Sequence, residues 1–317
     1  MKAAGEDRAG MSPILITGRD AAALRERVDA IAGKGVLWIT DPGDPAARET
    51  TIWFCAGQPP SEPFSLPKLR WIQSGWAGVE TWMRRPEWGR DVTLTRTVGD
   101  FPERIAEYVF GYLLAQAIEI PRALHLMERR GWERWTPGTL QGRALLVVGY
   151  GTIGASIGAL GRSFGMRVTG IRRHPARNGN DDVRDLSALE RSLGEAHVVV
   201  NVLPYTHDTE SFWNADRFSR MRAGATFINV SRGATVDDRA LIDGIRQGKP
   251  AHAILDVFRE EPLPRDHALR DVPGIWITPH VAGIGTLEPL ARAFAENLER
   301  FRTGQPLANV VDRERGY

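Results

Sequence analysis

Three side chains of complementary chemistry stand just beyond apolar runs in the second half of this chain. Arg232 lies in Asn229-Val230-Ser231-Arg232-Gly233. Glu261 lies in Leu255-Asp256-Val257-Phe258-Arg259-Glu260-Glu261-Pro262. His280 lies in Thr278-Pro279-His280-Val281-Ala282-Gly283. A guanidinium holds an anion with a planar fork of donors. An imidazole titrates near neutrality and can give and regain a proton. A carboxylate on its second ring nitrogen stabilises the protonated form. Each residue follows a predicted strand, which places all three near the C-terminal edge of one sheet, where open α/β folds bind ligands. Taken singly, each has a plainer use: a structural histidine, a solvated turn acid with Glu260 as rival, a strand-capping arginine.

Upstream, Gly149-Tyr150-Gly151-Thr152-Ile153-Gly154 forms a G-x-G-x-x-G directly after the apolar run 144–148. In that strand-turn-helix setting the first glycine permits the turn and the second lets backbone approach a pyrophosphate. The third lets helix and strand pack closely, and the helix end supplies N–H groups and a positive dipole. The pattern expects an acid roughly 20 residues on to hold a ribose hydroxyl. Here the next strand, 167–171, ends in Arg172-Arg173-His174. Guanidiniums cannot accept from a ribose, but they suit a 2′-phosphate. The expected cofactor is therefore NADP(H) in preference to NAD(H), with NAD(H) still possible; the other reading of the pair is a solvated basic loop.

These groups need a scaffold. Short β-type runs at 14–17, 36–40, 51–55, 70–73 and 92–95 alternate with helical or loop segments, the rhythm of a parallel sheet. A long amphipathic helix at 102–127 follows, which Pro121 should kink or divide. A second series has strands at 144–148, 167–171, 198–203, 226–230, 253–257 and 276–278, then a last helix at 287–302. Runs such as Val198-Val199-Val200 lack alternation, as strands covered on both faces do. The predicted fold class is α/β: two Rossmann-like or flavodoxin-like domains with parallel sheets and a cleft between them. Residues 1–11 read as a disordered tail, with Met11 an alternative start. Residues 12–101 and 285–317 read as a discontinuous substrate domain, and 102–284 as the cofactor domain.

Composition narrows the partners. The 317 residues are 42% hydrophobic and 25% charged with net charge +2. That is ordinary globular material, with nothing to favour nucleic acid or an anionic membrane. Cys55, the single cysteine, excludes an internal disulfide and a Cys-based metal site; in its apolar run it reads as a buried inert thiol. No metal is expected. No apolar stretch reaches membrane-spanning length, and residues 1–10 lack the apolar core of a signal peptide. A cytoplasmic protein is the expectation. His174, His207 and His252 read as surface or loop residues.

The mid-chain fingerprint followed in order by these three segments resembles the D-2-hydroxyacid dehydrogenase family from about Ser12 onward. Within it, the Arg172–Arg173 pair, the Gln73-Ser74-Gly75-Trp76-Ala77-Gly78 loop and the lack of an added regulatory domain point to the glyoxylate/hydroxypyruvate reductase branch. The resemblance implies NADPH-dependent reduction of a small 2-oxo acid to the D-2-hydroxy acid. His280 would be proton donor, Glu261 its partner, and Arg232 the carboxylate clamp. Backbone N–H groups of Trp76, Ala77 and Gly78 would bind the carboxylate from the other domain, and domain closure would exclude water. The spacing to Pro262 favours Glu261 over Glu260. Leu203, Pro204 and Thr209 match the loop beneath the cofactor. Val230 and Asp256 match positions beside the nicotinamide, Asp256 through the carboxamide; Ser231 is a further cofactor-binding candidate, and Gly283 matches a close-approach position. A homodimer through the cofactor domain is implied, with Trp132 and Trp135 lining the partner subunit's active site or packing in the core or at the interface. Other 2-hydroxyacid dehydrogenases, such as phosphoglycerate dehydrogenase-like enzymes, share the scaffold; Trp76 disfavours a phosphorylated substrate. A non-catalytic NAD(P)-sensing corepressor-like protein is the alternative from another class.

Overall fold

In the computed structural model, residues 13–33, 36–57, 59, 65–85, 91–99, 101–174 and 182–314 are described. The expected tail, 1–11, lies outside them. The chain divides into two compact units, residues 1–100 with 285–317 and residues 101–284.

The first unit is built on a parallel sheet of β1 (Ile14–Thr17), β2 (Trp38–Ile39), β3 (Ile52–Cys55), β4 (Trp71–Ser74) and β5 (Thr93–Arg96), in the order β2-β1-β3-β4-β5. The helices α1 (Ala21–Ala32) and α9 (Leu287–Arg302) pack together in this unit, and the short α2 (Glu80–Met83) also belongs to it. Large aromatics fill the layers on both sides of the sheet because successive strand residues point to opposite faces. Trp53 meets Trp82 edge-on at 5.0 Å, while Phe294 of α9 stacks on Phe54 at 4.4 Å and on Trp71 at 5.3 Å. Cys55 is buried within β3, as expected. The chain end returns antiparallel to β5: Arg96 donates to the Asn309 carbonyl and Val311 to that of Leu94.

The second unit opens with α3 (Phe101–Ala117) and α4 (Ile120–Glu128). The long helix is thus two helices. Pro121 lacks an N–H and obstructs the preceding turn, and the chain breaks before it at Glu119, in the left-handed region with φ 59°. A seven-stranded parallel sheet follows: β6 (Ala144–Val148), β7 (Arg167–Ile171), β8 (Asp182–Arg184), β9 (Val198–Asn201), β10 (Thr226–Asn229), β11 (His252–Leu255) and β12 (Ile275–Ile277). Its order is β12-β11-β10-β9-β6-β7-β8. On one side α3 and α5 (Thr152–Ser163) bury Val109, Phe110 and Ile157; on the other, where α6 (Leu189–Glu195), α7 (Ala215–Arg220) and α8 (Asp238–Arg246) contribute, lie Trp213, Phe218, Phe227 and Leu241.

Several boundaries differ from the sequence expectation. β9 stops at Asn201, not residue 203, because Asn201 turns its side chain to neighbouring loops and Pro204 has no N–H for a ladder. β8 was not predicted: three polar-flanked residues at a sheet edge carry no apolar run. His252 opens β11 and is exposed, at the surface as expected. What matters most is the register. Val148, Asn201, Asn229, Leu255 and Ile277 pair across the sheet in one row. Every segment of this unit that carries a candidate residue therefore leaves the sheet at one level.

Candidate functional site

The glycine turn comes first along the row. Gly149 has φ 101°, a conformation that side chains rarely adopt, and a Cβ there would lie 2.6 Å from the Val202 carbonyl carbon. The N–H groups of Gly149 and Tyr150 both donate to the Ile171 carbonyl, at 3.0 and 2.9 Å, which ties the turn to β7. Above Gly151 the space is open: a Cβ would meet nothing within 4 Å. That opening, at the N-terminus of the 12-residue helix α5, fits the diphosphate of a dinucleotide on Gly151, Thr152, Ile153 and Gly154. Tyr150 is part of the turn only through its backbone. Its side chain is buried among Val147, Ile157 and Phe110, away from any phosphate.

Beyond β7, Arg172 donates its backbone N–H to the Arg184 carbonyl, and Arg173 extends an exposed guanidinium. No acid follows β7, yet the structure brings one from the loop after β9: Asp208 pairs with Arg173 at 2.9 Å. Thr209, in the same loop, turns its hydroxyl inward to the Pro204 carbonyl at 2.7 Å and accepts from the Thr206 N–H at 2.7 Å. Its role in this structure is to fold the loop. Leu203 is tied by its N–H to the Asn201 side chain and packs on the apolar core.

Arg232 stands on the loop after β10. That loop is held from beneath by a buried amide network that sequence reasoning missed. The Asn201 amide nitrogen donates to Asn229 Oδ1, Ser231 Oγ and Thr235 Oγ1, at 3.0, 2.8 and 2.8 Å, and Thr235 in turn bonds the Arg232 carbonyl at 2.7 Å. Ser231 thus turns its hydroxyl into the protein, and Val230 is buried beside it. Gly233 has no room for a side chain, because a Cβ would overlap the Phe258 backbone. The loops carrying Arg232 and Glu261 therefore touch backbone to backbone.

Glu261 and His280 meet directly. His280 Nδ1 lies 2.7 Å from Glu261 Oε2, and the other carboxylate oxygen accepts the Phe258 N–H at 2.9 Å. Burial pulls the Glu261 carboxyl up. The bonds from His280 and Phe258 and the charges of His280 and Arg232 outweigh that, and the group stands below its ordinary value of 4.5. Glu260 is exposed and has no such bond among the described residues. The sequence left the choice between the two acids to a spacing; the geometry places Glu261 on the imidazole.

His280 has φ 55°, an uncommon backbone for a residue with a Cβ. Asp256 holds it there. The Asp256 carbonyl accepts the His280 N–H at 2.9 Å. Its carboxylate takes the Thr278 hydroxyl at 2.6 Å and the N–H groups of Val281 and Ala282 at 2.8 and 2.9 Å. Tyr108 of α3 completes the chain, its hydroxyl 2.6 Å from Thr278 Oγ1, and burial pushes its phenol pKa up. Asp256 is 1% exposed, so its carboxylate cages the 278–282 loop. Gly283 would meet only Ile105 of α3, at 3.4 Å, if it carried a Cβ.

In the first unit, Trp76 is 46% exposed. Its N–H donates to Ser74 Oγ at 3.2 Å, so of the three expected donors it is already engaged. The N–H groups of Ala77 and Gly78 have no acceptor among the described residues. Trp132 is exposed, and Arg122 stacks over Trp135 at 4.9 Å. Among the described residues no cluster of His, Cys, Asp or Glu could hold a metal ion, and no helix is long and apolar enough to cross a membrane.

Residues 110–282 match the family model for the D-isomer specific 2-hydroxyacid dehydrogenase, NAD binding domain. A glyoxylate reductase of Korarchaeum cryptofilum is 31% identical over 265 residues, covering 79% of this chain and 78% of the relative. Among solved structures, a D-isomer specific 2-hydroxyacid dehydrogenase from Xanthobacter autotrophicus Py2, in complex with NADPH and MES, is 30% identical with TM-score 0.85. It aligns over 97% of this chain and 100% of its own. An NADPH-dependent glyoxylate/hydroxypyruvate reductase from Sinorhizobium meliloti, in complex with NADP and sulfate, is 26% identical with TM-score 0.83 over 97% of this chain and 100% of its own.

Proposed function

The chain belongs to the D-isomer specific 2-hydroxyacid dehydrogenase family, and from that premise we propose that it reduces a small 2-oxo acid of the glyoxylate or hydroxypyruvate type to the D-2-hydroxy acid with NADPH. The observation that carries this reading is the 2.7 Å contact of His280 with Glu261, on loops locked beside Arg232. Bound NADPH would supply hydride to the carbonyl carbon. His280 delivers a proton from its second ring nitrogen to the carbonyl oxygen as that oxygen gains charge. Glu261 keeps the imidazole in one orientation and stabilises its protonated form. Arg232 clamps the carboxylate and polarises the carbonyl, a task for which its planar fork suits it better than an ammonium. The backbone N–H groups of Ala77 and Gly78, without an acceptor among the described residues, are further donors suited to a carboxylate, and the large apolar Trp76 beside them disfavours a phosphorylated substrate.

Cofactor choice follows from Arg172 and Arg173. They are placed past β7 where an acid would select NAD(H), and a guanidinium suits a 2′-phosphate. The relatives solved with NADPH or NADP support this preference. A homodimer through the second unit is supported by the exposed Leu124 and Met127 of α4 and by Trp132 beyond it. A cytoplasmic setting accords with the lone buried Cys55.

Turnover decides the matter. NADPH absorbance is followed with glyoxylate, hydroxypyruvate and phenylpyruvate, for wild type and for His280→Ala. Oxidation with the two smaller acids, lost in His280→Ala, is the expected result. No oxidation with any 2-oxo acid would leave the sensing, corepressor-like reading in its place.

A further inference from the structure

The loop assigned to the substrate carboxylate is not self-supporting. It rests on a buried polar relay that reaches it from the C-terminal helix. Gln73, the next-to-last residue of β4, is fully buried, and its amide uses all of its hydrogen-bonding capacity. Its oxygen accepts from Thr95 Oγ1 at 2.8 Å and from Asn297 Nδ2 of α9 at 3.1 Å. Its nitrogen donates to Thr97 Oγ1 and to the Ser74 carbonyl, both at 3.1 Å. Thr97, also fully buried, donates its hydroxyl to the same Ser74 carbonyl at 2.7 Å. Asn297 clamps the returning chain end at Ala308, donating to its carbonyl at 3.1 Å and accepting its N–H at 2.8 Å.

The consequence lies in the peptide planes. The Trp76 carbonyl is held from inside, by the Thr97 N–H at 3.4 Å and the Ser74 hydroxyl at 3.2 Å. In a trans peptide the N–H points opposite to the C=O of the same unit. The N–H of Ala77 shares its plane with the Trp76 carbonyl, so fixing that carbonyl inward turns the Ala77 N–H outward. It has no acceptor among the described residues. We infer that Thr97, seconded by Ser74 and Asn297, is a positioning residue that aims the Ala77 N–H at the substrate carboxylate. This rests on the reading of the 76–78 loop as the carboxylate site. The relay also gives the C-terminal helix a part in substrate recognition, since Asn297 holds the amide on which the loop hangs.

The test uses the full chain and separates KM from kcat. Thr97→Val keeps the shape and the N–H on the Trp76 carbonyl, but removes the hydroxyl that fixes the Ser74 carbonyl and takes the Gln73 amide. It should raise KM for glyoxylate roughly tenfold, as loss of a bond to a charged group does. The value of kcat should stay within about twofold, as when uniform binding is lost, and NADPH affinity by fluorescence titration should be unchanged. Thr97→Ser, which restores the hydroxyl, should return KM to near wild type. Asn297→Ala, one bond further back, should raise KM less. If Thr97→Val does not fold, Ser74→Ala carries the same test, because it removes the hydroxyl bonded to the Trp76 carbonyl itself. Ala77→Pro deletes the donor itself. A rise in KM with Ala77→Pro but none with Thr97→Val or Ser74→Ala would overturn the inference alone. No rise with Ala77→Pro would overturn the assignment of the loop, and the inference with it.

Discussion

If Glu261 acts only through His280, its removal should matter only while the imidazole is there. Glu261→Gln preserves volume and one acceptor but removes the charge. The contact it weakens is 2.7 Å long, between side chains 47% and 35% exposed. A bond to a charged group is worth about 1.5–3 kcal/mol when well shielded, and partial exposure trims the upper end. About 1.5–2.5 kcal/mol of transition-state stabilisation should be lost, or roughly 10- to 70-fold in kcat/KM. His280→Ala removes the proton donor and should cost about 10²–10⁴-fold. In the double variant the second substitution has nothing left to act on, so the loss should match that of His280→Ala within about twofold. The assay is NADPH oxidation with glyoxylate under saturating cofactor, with urea unfolding to confirm that each variant is folded. Equal losses from Glu261→Gln in the wild-type and His280→Ala backgrounds would refute the reasoning, because Glu261 would then act on the substrate or on Arg232 by itself.

Other expectations follow from the same contacts. Thr278→Val strands the Tyr108 hydroxyl and takes one bond from the buried Asp256 carboxylate; it should cost about 1–3 kcal/mol of stability, read as a fall in Tm. Glu261 also carries an acid signature. Its folded carboxyl stands below the ordinary 4.5, so its contribution to stability is complete above that value and is lost as pH falls through the folded one. The Tm advantage of wild type over Glu261→Gln should therefore shrink on acidification below about pH 4.5, and an advantage that grew would contradict the assigned direction. At the cofactor end, Asp208 competes for Arg173 with any 2′-phosphate. Asp208→Asn should tighten 2′,5′-ADP binding by up to about fivefold, the scale of an exposed ion pair, and leave 5′-AMP binding by calorimetry unaltered. Arg173→Ser should weaken 2′,5′-ADP selectively.

The legible part of this molecule was whatever repeats with a period or depends on one residue type. Unbroken apolar runs marked the central strands, because strands covered on both faces need them. Gly149 to Gly154 marked the turn, since backbone approach demands glycine there. Arg232, Glu261 and His280 were legible because each stood next to such a run. Less visible were the polar residues that end the runs. Asn201, Asn229, Thr278 and Gln73 are buried with satisfied bonds, but their partners lie tens to hundreds of residues away, as with Gln73 and Asn297. No local pattern reports such a pairing; the one available signal was an amide closing an all-apolar strand. The same blindness hid a second use of several residues. Asp256, Thr209 and Ser231 stand at positions matched to the cofactor, and their side chains bond the loops themselves.

That use of polar side chains has a physical logic. A loop leaving a parallel sheet must satisfy its backbone without a ladder, and near a ligand it cannot rely on water to do so. A polar side chain at the strand end solves both problems, provided every bond is made, because a half-satisfied buried network costs more than an apolar one. Three of the loops proposed to act on substrate have such an anchor. Asn201 and Asn229 sit beneath Arg232, Asp256 and Thr278 beneath His280, and Gln73 with Thr97 beneath the Ala77 donor. The anchors also explain how His280 can hold an uncommon backbone angle: three bonds to one buried carboxylate outweigh a strain of order 1–3 kcal/mol. Because the strand ends stand in one row, the anchors beneath Arg232 and His280 share one level. Small changes in any anchor should therefore appear first as misplacement of a catalytic group and only later as loss of the fold.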